Sequence, residues 1–370
     1  MVKIVISGYY GFDNMGDEAV LNAMLISFRE LADQLKIVVL SGAPQKTAAR
    51  YGVKAVKRNN YREVFKEIKS CDLFISGGGS LLQDVTGWKS IPFYLGQLML
   101  ASLLGKKTML FGQGIGPIKS KLYRQLAALI IKKVDLVTVR DEESRDFLIG
   151  LGLKGKDIAV TADPVFYLSP GDNKQIQGRE LLAEEGIKAD SKLIGISVRP
   201  WAGEGYLKEI AKAVKELSAV NDGEVLIIPM HPAYDLTVSE KLLELLDGQV
   251  NILSGDYTPL EMIAIFGELD FLLGVRLHSL IFSLIQGIPF VAISYDPKVD
   301  SLLKSLRITA GMDINKLNGD TLKRVCQTVL SNTEQFNLVI EGQLVQLRKK
   351  ALLNTEFALG LLGDDSIDRL

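Results

Sequence analysis

Short apolar runs alternate with longer helical patterns twice along this chain of 370 residues, and this alternation constrains the fold more than any other feature. The first series of runs is KIVISG, IVVLSG, DLFISGGG, KTMLFGQG and DLVTVRD, and the second is LIGISVRP, EVLIIPMHP, VNILSG, DFLLGVRLHS and PFVAISYD. The runs lack the two-residue alternation of half-exposed strands, which is typical of strands covered on both faces. Because helical patterns separate the strands, the sequence predicts parallel sheets and the α/β class.

A polar, Pro- and Gly-containing stretch separates the two series and suggests the domain boundaries. We predict an N-terminal Rossmann-like domain over 1–170, a linker region over 171–192 and a second Rossmann-like domain over 193–340. Residues 341–370 are predicted to form a C-terminal helix that could return to the first domain. The length of the chain also favours two domains over one. Two Rossmann-like domains facing an interdomain cleft describe a GT-B-like architecture, in which the site lies in that cleft.

Composition excludes several classes of partner. The net charge is −1, with 47% apolar and 24% charged residues, so no global field attracts nucleic acid or anionic lipid. Any anionic ligand must therefore be held by Arg or Lys side chains or backbone N–H groups at the site itself. Cys71 and Cys326 lack metal-ligand spacing and are predicted to be buried thiols in a reducing compartment. With no apolar run of spanning length and a strand that follows Met1 directly, we expect a cytoplasmic protein without a metal site.

The chain contains only two histidines, and each follows an apolar run. His231 closes EVLIIPMHP, whereas His278 lies with Arg276 and Ser279 in GVRLHS, at a predicted strand-to-helix junction. Ligands of open parallel sheets bind beyond the carboxyl ends of the strands, and histidine is the usual proton donor near neutral pH. Arg276 and His278 therefore suit a small anionic substrate whose reaction needs a proton. The alternative for either histidine is a hydrogen-bonded structural role.

Two further arginines end apolar runs. Arg199 closes the first strand of the second series, where Pro200 and Trp201 stop the strand, and its guanidinium could hold a carboxylate or a phosphate. Arg140 ends a strand of the first series in VRDEES. An ion pair at the protein surface is an equally good interpretation of Arg140.

Acidic residues follow strands of the first series. Asp17 and Glu18 lie in SGYYGFDNMGDEAVL, where a helix is predicted to begin near Asp17. They could cap that helix, or they could bind a sugar hydroxyl or act as a base. Asp163, in TADPVF, is a further candidate, with an Asx turn as the alternative.

The glycine-rich segment FISGGGSLLQDVTGW offers polar groups for a sugar. The amide of Gly78 could face a ligand, Ser80, Asp84 and Thr86 could hydrogen-bond to hydroxyls, and Trp88 could stack on a sugar ring. The alternative is a tight strand-to-helix turn that binds no ligand.

Taken together and in order, several segments resemble the polysaccharide pyruvyl transferase family, specifically its bacterial CsaB-like branch. The matching segments run from residue 8 to residue 299 and are GYYGFDNMGDEAVL, SGGGSLLQD, GQGIGP, VRDEES, TADPVF, SVRPW, RLHSLIFS and PFVAISYDPKV. The resemblance implies a GT-B-like fold, phosphoenolpyruvate as the donor and a pyruvate ketal as the product. It implies no further cofactor.

The resemblance also implies roles for particular residues. Arg276, Leu277 and His278 would contact phosphoenolpyruvate, as would an upstream arginine, which is Arg199 or, in competition, Arg140. The adjacent Ser279 is predicted to take part in donor binding, and His231 is a candidate for acceptor binding or for the base. The first domain is predicted to hold the acceptor and the second domain the donor. The acceptor implied for this branch is a β-linked N-acetylmannosamine residue on a lipid-linked cell-wall disaccharide, whose ketal anchors S-layer proteins. Such an acceptor would bring the protein to the inner face of the membrane peripherally.

Two other functions remain compatible with the residues alone. A nucleotide-sugar glycosyltransferase or 2-epimerase of GT-B-like fold also places His and Arg at strand ends. A carbohydrate-binding scaffold without turnover is the non-enzymatic alternative. The oligomeric state and the exact acceptor are not determined by the sequence.

Overall fold

The computed structural model describes residues 1–32, 34–85, 87, 89–169, 177–187, 192–221, 223–248 and 250–363. Thr86, Trp88 and two parts of the predicted linker, 171–176 and 188–191, lie outside the described residues. The chain divides into two compact units. The first contains Met1–Tyr167 and Gln346–Leu370, and the second contains Leu168–Val345.

The first unit is built on a seven-stranded parallel sheet in the order β3-β2-β1-β4-β5-β6-β7. Its strands are β1 (Val2–Tyr10), β2 (Leu35–Ser41), β3 (Lys54–Lys57), β4 (Leu73–Ser76), β5 (Lys107–Gln113), β6 (Leu136–Val139) and β7 (Ile158–Val160). The helices are α1 (Met15–Leu31), α2 (Pro44–Tyr51), α3 (Tyr61–Lys69), α4 (Ser90–Leu103), α5 (Lys121–Ile131) and α6 (Glu142–Gly150), followed by a 3-10 helix over Pro164–Tyr167.

The second unit repeats this arrangement with a six-stranded parallel sheet in the order β10-β9-β8-β11-β12-β13. Its strands are β8 (Lys192–Ser197), β9 (Gly223–Ile227), β10 (Asn251–Ile252), β11 (Phe271–Gly274), β12 (Phe290–Ser294) and β13 (Gly311–Asp313). Its helices are α7 (Gly178–Glu184), α8 (Gly205–Asn221), α9 (Pro232–Leu245), α10 (Pro259–Phe266), α11 (Leu277–Gln286), α12 (Pro297–Ser305) and α13 (Gly319–Leu330).

The last helix, α14 (Thr333–Leu362), belongs to the second unit up to Val345 and to the first from Gln346. Within the first unit, the buried side chain of Asn354 accepts hydrogen bonds from Thr138 at 2.6 Å and Thr161 at 2.8 Å. Both threonines belong to the β6–β7 edge of the sheet. The end of α14 is therefore fastened to the first sheet by a buried polar cluster.

Both sheets confirm the α/β class and the two Rossmann-like domains that the sequence predicts. In each sheet the strand order reverses beside the first strand, between β1 and β4 in one unit and between β8 and β11 in the other. Open parallel sheets bind ligands beyond the carboxyl ends of the strands at such a switch point. A ligand site is therefore expected among the residues that follow β1, β4, β8 and β11.

No helix among the described residues is long and apolar enough to cross a membrane.

Candidate active site

Two arginines occupy matching positions at the switch point of the second sheet. Ser197 of β8 pairs with Gly274 of β11, and the Val275 N–H donates to the Ser197 carbonyl at 2.8 Å. Arg199 and Arg276 each follow two residues beyond this pair. Adjacent strands lie about 4.8 Å apart, so the backbone brings both arginines to the same edge of the sheet.

The side chain of Arg199 reaches toward the next strand end. Its guanidinium carbon lies 4.2 Å from the ring centroid of Tyr295, which directly follows β12, and β12 is the neighbour of β11. Trp201 packs on the same tyrosine with ring centroids 5.3 Å apart, and its Nε1–H donates to Asn315 at 3.1 Å. The ends of β8, β11 and β12 thus form one surface, with the start of α11 between Arg199 and Tyr295 along the sheet.

Arg276 is fixed by a carboxylate that the sequence did not reveal. Its Nε donates to Asp235 Oδ2 at 3.1 Å, and its NH2 group donates to Asp235 Oδ1. Asp235 has no solvent exposure, and it also accepts a hydrogen bond from the His231 backbone N–H at 2.9 Å. Asp235 therefore couples the orientation of Arg276 to the start of α9.

His231 is the N-cap residue of α9 and is buried, with its ring 4.6 Å from that of Tyr234 between centroids. Both histidines thus follow strands of the second sheet, as the sequence predicts. Only His278 lies on the same strand-to-helix connection as an arginine of the candidate site.

The helix that follows Arg276 begins without a side-chain cap. Leu277 and His278 are its first two residues; Leu277 is buried and His278 is half-buried. Ser279 is fully buried, and its hydroxyl donates to the Arg276 carbonyl at 2.6 Å. Ser279 thus shapes the connection, and the start of a helix is a position that favours an anion.

A cavity of about 490 Å³ opens beside Tyr295. Its lining includes Asp296, Asp300 and Asp313 but, of the basic residues, only Lys304. Three carboxylates repel a ligand that carries a carboxylate and a phosphate. The neighbouring arginine surface is therefore a better anion site than the cavity.

In the first unit, Asp17 lies at the switch point between β1 and β4. A Cβ built on Gly79 would lie 2.7 Å from Asp17 Oδ1, so the half-buried carboxylate rests on the backbone of the glycine turn. Gly79 has φ +86°, a left-handed conformation that favours glycine. Gly78 instead packs on Val20 and Pro164, and its backbone is buried.

Helix α1 begins at Met15, two residues before the predicted start, and Asn14 is its cap rather than Asp17 or Glu18. The Asn14 side chain accepts from the Gly16 N–H at 3.2 Å. Glu18 is buried and accepts from the Gly11 N–H at 2.7 Å and from the Tyr51 hydroxyl at 2.8 Å. Burial raises the pKa of Glu18, against the opposing effect of these two donors.

Arg140 belongs to a buried ion-pair cluster of the first unit. Its NH1 donates to Asp163 at 2.8 Å, its Nε to Asp141 at 3.4 Å and its NH2 to Ser80 at 3.3 Å. Burial lowers the pKa of Arg140, but Asp163 and Asp141 outweigh it and raise the pKa overall. Asp163 also accepts from the Val165 N–H at 3.2 Å, the hydrogen bond of an Asx turn. The Asx turn fits the structural interpretation of Asp163, whereas the ion pairs of Arg140 are buried rather than at the protein surface, since its side chain is 6% exposed.

Asp84 fastens one loop to another. Its carboxylate accepts from the Lys119 N–H at 2.8 Å and from the Ser120 N–H at 2.9 Å, next to the start of α5. Burial raises the pKa of Asp84, but the hydrogen bonds from these backbone donors lower it by more, so the pKa lies below its usual value. Asp84 therefore holds the glycine-rich loop in place.

Three residues near the candidate site of the second unit were not predicted from the sequence: Asp235, Tyr295 and Lys298. Tyr295 and Lys298 lie in SYDPKV, one of the matching segments, and Lys298 Nζ is 5.9 Å from the Tyr295 ring centroid. The signal for Asp235 was its position four residues after His231, in the first turn of a helix. Among the described residues, no cluster of three or more His, Cys, Asp or Glu side chains could hold a metal ion.

Comparison with solved structures shows the fold. The chain is similar to the UDP-GlcNAc 2-epimerase from Neisseria meningitidis bound to UDP-GlcNAc, with a TM-score of 0.67 and 13% identity over 97% of this chain and 100% of that one. It is also similar to a glycosyltransferase from Rickettsia africae, with a TM-score of 0.65 and 12% identity over 98% and 99% of the two chains. The fold is GT-B-like, and identities this low show the fold alone.

Comparison of sequences shows the family. The chain is 23% identical over 302 residues to the amylovoran biosynthesis protein AmsJ of Erwinia amylovora, which covers 76% of this chain and 71% of that protein. The family pattern described as polysaccharide pyruvyl transferase matches residues 14–297, well over half of the chain. This chain belongs to the polysaccharide pyruvyl transferase family.

Proposed function

We propose that this transferase moves the pyruvyl group of phosphoenolpyruvate onto a saccharide as a ketal and releases phosphate. The observation that supports the proposal best is the meeting of Arg199, Arg276 and His278 at neighbouring strand ends of the second unit. Phosphoenolpyruvate carries a carboxylate and a phosphate, and the planar fork of arginine suits both groups. Because Asp235 neutralises the charge of Arg276, the two guanidiniums and this carboxylate together carry one net positive charge at the sheet edge.

The two arginines would share the donor. Asp235 occupies the Nε and NH2 groups of Arg276, which leaves its NH1 group for a ligand oxygen. Tyr295 covers a face of the Arg199 guanidinium rather than its terminal N–H groups. The backbone N–H groups at the start of α11 would add further donors. Arg199 is favoured over Arg140 because Asp163, Asp141 and Ser80 already surround Arg140.

His278 is assigned as the general acid because it is in the first turn of α11, two residues after Arg276. The reaction must add a proton to C3 of the enol, which leaves an oxocarbenium-like C2. One sugar hydroxyl attacks C2, the bond from C2 to the phosphate oxygen breaks, and a second hydroxyl closes the ketal. The two hydroxyls lose their protons to a base and to the departing phosphate.

In the first unit, Asp17 is assigned as the base that accepts a hydroxyl proton. Its carboxylate lies where the β1 and β4 ends meet, on the glycine turn, which is where an open sheet receives a ligand. Glu18, Asp84 and Asp163 are assigned structural roles because each accepts hydrogen bonds from backbone groups that shape a loop or turn.

The finer identity of the acceptor rests on the resemblance to the CsaB-like branch. The proposed acceptor is a β-linked N-acetylmannosamine residue on a lipid-linked cell-wall disaccharide, and the proposed role is S-layer anchoring. Peripheral contact with the membrane is supported by α5 and the two residues that follow it. Exposed Leu122 and Leu129 accompany exposed cationic side chains there, namely Lys121, Arg124, Lys132 and Lys133. Sedimentation with anionic but not neutral vesicles tests this contact.

The deciding experiment incubates the protein with phosphoenolpyruvate and a panel of synthetic disaccharides, with detection of free phosphate and of the acceptor mass. We expect phosphate release that depends on the acceptor, together with a pyruvyl adduct. A parallel heating experiment compares ligands: phosphoenolpyruvate should protect the protein, and UDP-sugars should not. Protection by UDP-sugars alone would instead favour a nucleotide-sugar enzyme, the class of the structural neighbours.

A further inference from the structure

An arginine of the first unit is enclosed by aromatic rings at the carboxyl end of β3. Arg58 follows that strand directly, and its N–H donates to the Ser41 carbonyl at 2.9 Å. Its guanidinium carbon lies 4.1 Å from the ring centroid of Phe93, 5.2 Å from that of Phe12 and 5.3 Å from that of Tyr94. The rings orient the guanidinium through its π face and leave its edge for hydrogen bonds.

The hydrogen bonds of Arg58 go to neutral acceptors. Its NH1 donates to the Gly8 carbonyl at 3.4 Å and to the Tyr94 hydroxyl at 3.2 Å, and it forms no salt bridge within the described residues. Of the other half-buried arginines at strand ends, Arg140 and Arg276 each meet a buried carboxylate, whereas Arg199 packs against Tyr295. A half-buried cation without an anion is unusual, because partial desolvation is costly unless the charge is matched.

The surroundings of Arg58 are suited to a sugar. Tyr9 and Phe12 stack with ring centroids 4.4 Å apart and an interplanar angle of 12°, and both are half-buried. Burial raises the pKa of the nearby Tyr94. The positive charge of Arg58 opposes this effect, and the negative charge of Asp17 adds to it. Tyr9 and Phe12 lie at the end of β1, on the same strand-to-helix connection as Asp17, the carboxylate assigned as the base.

We infer that Arg58 binds an anionic group, phosphate or carboxylate, carried by the acceptor saccharide, while the sugar lies against Tyr9 and Phe12. The inference rests on the proposed function and deepens it, since it makes the enzyme selective for charged acceptors. A guanidinium held by rings is pre-oriented for a bidentate contact, and aromatic faces accept the apolar face of a sugar. The hydroxyls to be bridged would then lie toward Asp17.

A binding experiment without donor tests the site directly. Calorimetry compares N-acetylhexosamine 1-phosphate, a uronic acid and the neutral methyl glycoside of the same hexosamine. We expect one or both charged sugars to bind about 10- to 100-fold more tightly than the neutral one. The Arg58→Gln variant should lose that preference, and Arg62→Gln, which removes an exposed arginine nearby, should keep it.

Equal binding of charged and neutral sugars by the parent would overturn the inference, as would the same loss of preference in both variants. If Arg58→Gln does not fold, Arg58→Lys keeps the charge without the planar fork and should keep only part of the preference; a full preference in that variant would also overturn it.

Kinetic measurements of pyruvyl transfer distinguish a failure of this inference from a failure of the proposed function. In Arg58→Gln, the KM for a charged acceptor should rise while the KM for phosphoenolpyruvate stays unchanged. A rise in the donor KM instead would place Arg58 on the donor side and refute its acceptor role. If the parent transfers no pyruvyl group to any acceptor, the proposed function fails, but the binding comparison still decides whether Arg58 holds an anionic sugar.

Discussion

The buried carboxylate of Asp235 accepts hydrogen bonds from two nitrogens of the Arg276 guanidinium and thereby links the start of α9 to the start of α11. The same carboxylate accepts a hydrogen bond from the His231 backbone N–H, so these contacts hold two strand-to-helix connections together. Arg276 is thus oriented before any ligand arrives, and a pre-oriented guanidinium loses less conformational entropy on binding an anion.

Replacement of Asp235 by asparagine should therefore lower the free energy of unfolding and weaken the binding of phosphoenolpyruvate. Removal of one partner of a buried ion pair typically costs about 3–5 kcal/mol, because the remaining charge is left uncompensated. We expect the low end of that range, since Arg276 is 16% exposed. Urea unfolding and calorimetry with phosphoenolpyruvate measure the two effects.

A matched control is Asp320→Asn, which breaks an exposed pair with Lys212 in the same unit. It should leave both quantities nearly unchanged, because solvent screens the pair. Equal effects of the two substitutions would contradict the positioning role of Asp235.

Much of the fold could be predicted from the sequence because long buried strands and helices carry strong patterns. The structure adds β3, β7 and β13, whose sequences KAVK, IAV and GMD do not form an apolar run as long as those of the predicted strands. It also adds α2 and α12, both of which begin with proline; Asp296 followed by Pro297 was a readable start signal for α12.

The site was less predictable, because its parts meet through tertiary structure. The glycines and arginines at strand ends could be identified, since parallel topology brings strand ends together. Asp235 is 41 residues before Arg276, and no local pattern connects the two. The aromatic cluster around Arg58 likewise draws on three separate connections, those after β1 and β3 and the start of α4.

The arginines of the second unit should be sensitive to lysine substitution. Arg276→Lys and Arg199→Lys keep a positive charge but lose the planar fork, and a charge-assisted hydrogen bond contributes about 1.5–3 kcal/mol. We expect the dissociation constant for phosphoenolpyruvate to rise by about 10- to 100-fold in each variant. Parent-like donor affinity in both would remove these arginines from the donor site.

Glu18 should give stability a measurable pH dependence. Its pKa is raised above the ordinary 4.5 because burial disfavours the charged form. The stability it contributes is therefore fully present below pH 4.5 and is lost as the pH rises through the folded-state pKa. Glu18→Gln removes this titration.

The unfolding free energy of the parent, minus that of Glu18→Gln, should decrease between pH 4.5 and neutrality in urea titrations. A difference that stays constant or increases with pH would show that the Gly11 and Tyr51 donors outweigh burial.

The two thiols should be inert in the folded protein. Cys71 and Cys326 are 1% and 0% exposed, and burial raises the pKa of Cys71 to about 11 and that of Cys326 to about 12. Because the thiolate is the reactive form, a chromogenic disulfide reagent at pH 8 should label neither residue. In concentrated urea the reagent should label both, and rapid stoichiometric labelling of the native protein would contradict this burial.

The central claim is that His278 delivers a proton to C3 of phosphoenolpyruvate during transfer of the pyruvyl group to a saccharide. The most direct measurement is mass spectrometry of the ketal product formed in deuterated water by the parent and by His278→Gln. We predict one solvent deuterium in the product methyl group for the parent, and for the variant a rate lower by about 10²–10⁴ with donor binding retained. A variant that forms the deuterated ketal at the parent rate would contradict the account.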